Sequence, residues 1–200
     1  MTKTPDEQNS VTPSADMLAQ AAKAASKGKG LPPVHLWNPP FCGDLDMRIA
    51  RDGTWFYQGT PIGRPALVRL FSTILKLEDG KYFLVTPVEK VGITVDDAPF
   101  VAVDFRVDGT GQDQNLVFTT NVGDEVRAGA DHPMRVIRDD ETGEPAPYIM
   151  IRNGLEALID RKSFYRLVDL CRHETHAGGQ WFGIWSGGQF FPVIPSGELG

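Results

Sequence analysis

Two hundred residues suffice for one substantial core or two small ones. With 41% apolar and 23% charged residues this is the composition of a folded chain, and a formal charge of −6 argues against broad coating of nucleic acid or of an anionic membrane. Cys42 and Cys171 are too few for a disulfide scaffold, and neither a signal-peptide core after MTKTPDEQNS nor a run of about 18 apolar residues is present, so a cytoplasmic setting with two reduced thiols and no membrane contact is expected.

The 21 glycines and 15 prolines are spread through turn-like positions, which favours many short strands over a helical bundle. Residues 1–12 are polar and expected to fray. SADMLAQAAKAASK reads as an alanine-rich helix, with Ser14 as N-cap and Gly28 as its stop, and 1–33 together form a flexible leader. LPPVHLWNPPFCG is expected as an extended strap that buries Trp37 and Phe41. DMRIA and TWFYQG alternate on either side of Arg51-Asp52-Gly53, a hairpin signal. In IGRPALVRLFSTILKLEDG the period changes: Leu67, Leu70, Phe71, Ile74 and Leu75 make one helical face, and Pro65 suits its first turn. KYFLVTPV, KVGITV and FVAVDFRVDG return to strands, the last with Val101, Val103, Phe105 and Val107 alternating.

The second half repeats this order. Further strands are expected near 115–120 and 134–138, MRVIRD and APYIMIRN pair across DDETGEP, and LEALIDRKSFYRLVDLCRHE is helical in composition, with Phe164, Leu167, Val168 and Cys171 on its apolar face. QWFGIW and QFFPVI then flank Ser186-Gly187-Gly188. Ile62, Arg64, Arg69 and Leu70 find counterparts in Ile159, Arg161, Arg166 and Leu167, a sign of internal duplication. The predicted fold is therefore α+β, a tandem duplication of a helix clasped by a curved, highly twisted antiparallel sheet, with a first copy over 34–98 and an enlarged second copy over 99–200. A groove between the copies is the expected place for a pocket.

WNPPFCGDLDMRIARDGTWFYQGTPIGR, TPVEKVGI and PYIMIRNGLEALIDRKSFYRL resemble the bacterial family of unknown function DUF1285, over roughly residues 34 to 195. The resemblance implies a duplicated α+β unit whose second half is pleckstrin-homology-like in outline. It also implies a site for a nucleotide-like ligand at the domain junction and a place in signal transduction, with no established catalytic residues and no cofactor.

Candidate site residues follow from chemistry. Asp44 and Asp46 share one side of an extended segment, where a carboxylate pair can hold Mg²⁺ beside a phosphate or simply be solvated. Arg48 offers a guanidinium fork for an anion. Glu89 and Lys90 are hairpin-tip charges or groove lining. Tyr148, Arg152 and Asn153 mark a strand-to-helix transition, where Arg152 can take an anion while Tyr148 or Trp185 stacks on a planar ring. Cys171, His173 and His176 sit close in sequence, but His-Glu-Thr-His lacks metalloprotease spacing and no fourth ligand is evident. Dinucleotide, P-loop and nucleophile-elbow signatures are missing.

The leading expectation is a non-enzymatic sensor or binding module for a small anionic, nucleotide-like ligand at the domain interface. Alternatives are a scaffold for a signalling protein partner and a metal-assisted phosphate-processing enzyme using Asp44 and Asp46.

Overall fold

The structure, a computed structural model, describes residues 14–26, 28 and 30–199; the expected frayed start lies outside the described residues. Helix α1 (Ala15–Ala25) starts where Ser14 accepts the Met17 N–H at 3.3 Å, and it ends at Ser26, ahead of Gly28. The following strap contains one 3-10 turn at Val34–Leu36, with Val34 buried. Phe41, expected to be buried, is 55% exposed: it opens strand β1 (Phe41–Ile49) and meets Phe83 edge to face, at 6.1 Å.

β1 reverses at Arg51-Asp52-Gly53 into β2 (Trp55–Tyr57), as expected, and Asp52 accepts the Thr54 N–H at 2.9 Å. β3 (Thr60–Pro61) leads into α2 (Pro65–Thr73), with Pro65 in its first turn. Leu75 leaves the predicted helical face and begins β4 (Leu75–Glu78), which pairs with β5 (Lys81–Val85). β6 (Lys90–Val95) then runs parallel to β1, giving a sheet in the order β3-β2-β1-β6-β5-β4. Met47, Ile49, Trp55, Phe71, Ile74, Leu84 and Val91 fill its core, and Trp55 stacks on Phe71 at 6.3 Å.

β7 (Phe100–Asp108), β8 (Asn115–Thr120), β9 (Glu125–Arg127), β10 (Met134–Arg138), β11 (Pro145–Arg152) and β12 (Leu155–Ile159) form the second sheet, in the order β10-β11-β12-β7-β8-β9. The alternation expected along β7 breaks: Val101 and Phe105 are buried and Val103 and Val107 are exposed, because a bulge lies between Ala102 and Asp104. Leu155–Ile159, expected as helix, is strand, since Asn153 (φ 46°) and Gly154 (φ 81°) make the two-residue turn that folds it back on β11. Helix α3 (Arg161–Asp169) starts only after Asp160, whose carboxylate accepts the Ser163 N–H at 2.7 Å. β13 (Arg172–His176), β14 (Gly179–Ser186) and β15 (Gln189–Pro195) make a third, three-stranded sheet, with the predicted reversal at Ser186-Gly187-Gly188.

The first half runs three strands, one helix and three strands, whereas the second runs six strands, one helix and three strands, and the two six-stranded sheets are mixed, not purely antiparallel, because β1/β6 and β7/β12 are parallel. The caps of α2 and α3 are Arg64 and Asp160, so the pairing of Arg64 with Arg161 is one residue out of step with the helices. Phe164 and Leu167 of α3 press into Met134, Val136, Ile159 and Phe191 so closely that about 10 Å³ is left between them. Among the described residues no helix is long and apolar enough to cross a membrane.

Candidate functional site

Asp44 and Asp46 do share the exposed face of β1, and an Asp44 oxygen lies over Gly92, 2.1 Å from where a Cβ would stand. Among the described residues no three His, Cys, Asp or Glu side chains gather as metal ligands. Arg48 is spent on Asp96, with Nε at 2.9 Å and Nη2 at 2.5 Å, and rests 5.4 Å over the Phe56 ring. Lys90 reaches Glu78 at 2.7 Å and the Phe83 ring at 5.0 Å. Glu89 beside it is half-buried, and burial pushes its carboxyl up. Lys90 pairs with Phe41 and Thr94 with Arg48, so Lys90 and Arg48 stand roughly 13 Å apart along β6 by strand rise.

Tyr148 donates its hydroxyl to Asp97 at 2.7 Å, under the Arg135 guanidinium at 4.7 Å. Burial, then this bond to Asp97, push its phenol up to about 12. Arg152 pairs with Asp124 at 2.6 Å. Asn153 is a turn residue, not a helix start. Trp185 donates its indole N–H to Glu174 at 3.1 Å, and its carbonyl accepts Gln114. Among the described residues no two of these nine share a hydrogen-bond or ion-pair partner, and the sequence-predicted set does not converge on one site. His173 and His176 lie on strand β13, not at a helix end; His173 meets Ser196, and His176 lies against the Phe190 ring. Cys171 faces the core and bonds the Leu167 carbonyl.

What the halves do form at their junction is a cleft of about 620 Å³, walled by Gly53–Trp55 and the start of α2 on one side and by Asn121, Val122 and Gly123 on the other. Two glycines permit this approach. A Cβ on Gly53 (φ +85°) would stand 2.6 Å from Asn121 Nδ2, and one on Gly123 (φ +85°) would stand 2.9 Å from Arg69 Nη1. Asn121 is held from both sides: its Oδ1 accepts the Val101 N–H at 3.0 Å, and its Nδ2 donates to the Gly53 carbonyl at 3.4 Å.

The chemistry of this cleft is that of donors. Among the described residues no carboxylate lines it. Arg69 has no ion-pair partner within 4.0 Å among the described residues. α2 begins without a side-chain cap and without an acid in its first turn; Pro65 has no N–H and the Leu67 N–H bonds the Arg64 carbonyl at 3.0 Å, so the donor this turn leaves to the cleft is the Ala66 N–H. The Trp55 indole N–H is buried without a hydrogen-bond partner. The charge on this surface is the exposed Arg69 guanidinium, whose fork is of the shape that suits a carboxylate or phosphate.

Sequence reading used Arg69 only as a repeat marker and passed over Gly123 and Asn121. The legible signals were Asn121-Val-Gly123, a turn ahead of an acid, and an α2 start with no Ser, Thr, Asp or Asn at the cap.

The family model for the DUF1285 N-terminal domain matches residues 32–98, and that for the C-terminal domain, described as a protein of unknown function, matches residues 99–193. The chain is similar to a DUF1285 family protein from Silicibacter pomeroyi DSS-3, whose crystal structure superposes with a TM-score of 0.82 at 65% identity, covering 91% of this chain and 97% of that one. A DUF1285 family protein from Shewanella baltica OS155 matches at 30% identity with a TM-score of 0.49, covering 62% of this chain and 91% of that one. No curated protein matches the chain.

Proposed function

We propose that this chain, which belongs to the DUF1285 family, is a non-enzymatic binding module that holds a small anionic ligand in the cleft between its halves. The observation that carries this reading is Arg69, whose guanidinium, among the described residues, has no ion-pair partner and lines a cleft of about 620 Å³ without a carboxylate. The ligand's anionic group sits against Arg69 and the Ala66 N–H of α2, and its body lies along Trp55, Ile62 and Val68. A nucleotide-like molecule, with a phosphate and a flat apolar body, meets both demands. The recurrence of strands, helix and strands supports reading the fold as a tandem duplication, with the ligand bridging the copies.

Calorimetric titration of mono-, di- and cyclic nucleotides, inorganic phosphate and simple carboxylates tests this. Binding that weakens at least about tenfold in Arg69→Gln, with the melting temperature unchanged, is expected. If none of these anions binds, or if Arg69→Gln binds as the parent does, the reading is wrong.

A further inference from the structure

The junction cleft has a neighbour. Ile62 and Gly63 also wall a second cleft of about 270 Å³, whose other sides are Tyr57, Pro61, Arg64, Leu67 and the first turn of α1. That turn fills it poorly, because the residues it presents there are Ala15 and Asp16, and the apolar one is a single methyl.

α1 lies on α2 through Ala15, Leu18, Ala19 and Ala22, the i, i+3, i+4, i+7 anchors by which an amphipathic helix enters an apolar groove. Only one of the four anchors is large. Among the described residues no hydrogen bond or ion pair ties α1 to the rest of the fold. The Ser26 hydroxyl at its C-cap is buried without a partner. A helix of 11 residues is marginal on its own in water, so leaving the groove means unfolding, and the whole element opens as one unit. The chain is anchored again at Pro32 and Val34, both buried, so α1 can depart without disturbing β1.

We infer that the shelf on α2 is a helix-binding groove for which α1 is a weak, displaceable, intramolecular occupant. The partner it fits is an amphipathic helix of another protein that carries a bulky apolar residue at the position of Ala15, followed by an acid. The bulky side chain enters the void between Tyr57 and Leu67, and the acid takes the place of Asp16 beside Arg64, which has no ion-pair partner among the described residues. This does not rest on the anion reading, since neither Arg69 nor an added anion takes part.

The test uses the full chain. In native-state hydrogen exchange, the α1 amides should exchange together and at least about 100-fold faster than those of Phe71 and Ile74. Exchange of α1 only along with the core overturns the proposal. A fluorescent peptide spanning residues 13–26 with Ala15→Leu should bind the full chain at least about threefold more tightly than the unchanged peptide. It should bind a full chain carrying Leu18→Ala about tenfold more tightly still, because the resident competitor is weakened. Equal affinity of the two peptides, no binding of either, or no gain in a folded Leu18→Ala chain overturns the proposal. If that variant does not fold, the exchange and the two-peptide comparison on the parent chain decide it.

Discussion

Arg152 donates from one guanidinium nitrogen to Asp124 at 2.6 Å and from another to the Ser72 carbonyl at 2.9 Å, so one side chain joins the end of α2 to the turn between β8 and β9. Its flat face lies 4.8 Å over Phe100, and only 15% of the side chain is exposed. A cation at the carboxy-terminal end of a helix, with a carboxylate on its far side, is a structural tie between the two halves.

Arg152→Met should therefore cost about 2–4 kcal/mol, somewhat less than breaking a fully dry pair, because Asp124 and the Ser72 carbonyl both lose their partner. Arg152→Lys should not restore it, since an ammonium cannot span both acceptors while covering Phe100. Urea denaturation measures both; a loss under about 1 kcal/mol for the methionine variant would show that the tie is solvated.

Gly53→Ala should lower stability by about 1–3 kcal/mol, through backbone strain and through its collision with Asn121. Gly80→Ala is the matched control: its φ is +74°, but a Cβ there meets nothing within 4 Å. Thermal melts of the two variants separate strain from contact. Equal losses would mean that Asn121 yields freely and that the glycine is not what brings the halves together.

Tyr148 should resist ionisation. Its folded value of about 12 lies above that of a free phenol, so its contribution to stability is complete below about pH 10 and is lost as pH rises toward 12. Absorbance of tyrosinate during alkaline titration should show Tyr148 titrating late, toward pH 12, and Tyr148→Phe should flatten stability over that window. An unchanged alkaline profile in the phenylalanine variant would remove Tyr148 as the cause.

One thiol should react in the folded protein. Cys42 is exposed, whereas Cys171 is buried and its thiol is pushed up to about 12 by burial. Disulfide-exchange reagents at neutral pH should label Cys42 promptly and Cys171 only on unfolding. Prompt labelling of both would mean that the packing of α3 opens locally.

Much of the fold was legible because its signals are local. Ser14 capping α1, Pro65 opening α2 and the turns at Arg51-Asp52-Gly53 and Ser186-Gly187-Gly188 each depend on the conformational preference of a few adjacent residues. Leu155–Ile159 misled for a physical reason. Leu, Glu and Ala favour a helix in isolation, but pairing with β11 and with β7 outweighs that preference. The bulge in β7 left no mark on its valine alternation either, since a register shift against β8 is a property of the pairing of two strands and not of spacing along one.

The candidate site was less legible. A sequence displays where arginines are, but not which of them find a carboxylate: Arg48 meets Asp96 and Arg152 meets Asp124, while Arg69 meets none among the described residues. By itself the sequence determined the strands and helices with strong periodicity, the turns and the absence of a long apolar span, because those depend on spacing along the chain. Only the tertiary structure decided which charges are neutralised and where a cleft stays open, because both depend on distances between residues that the chain brings together from far apart.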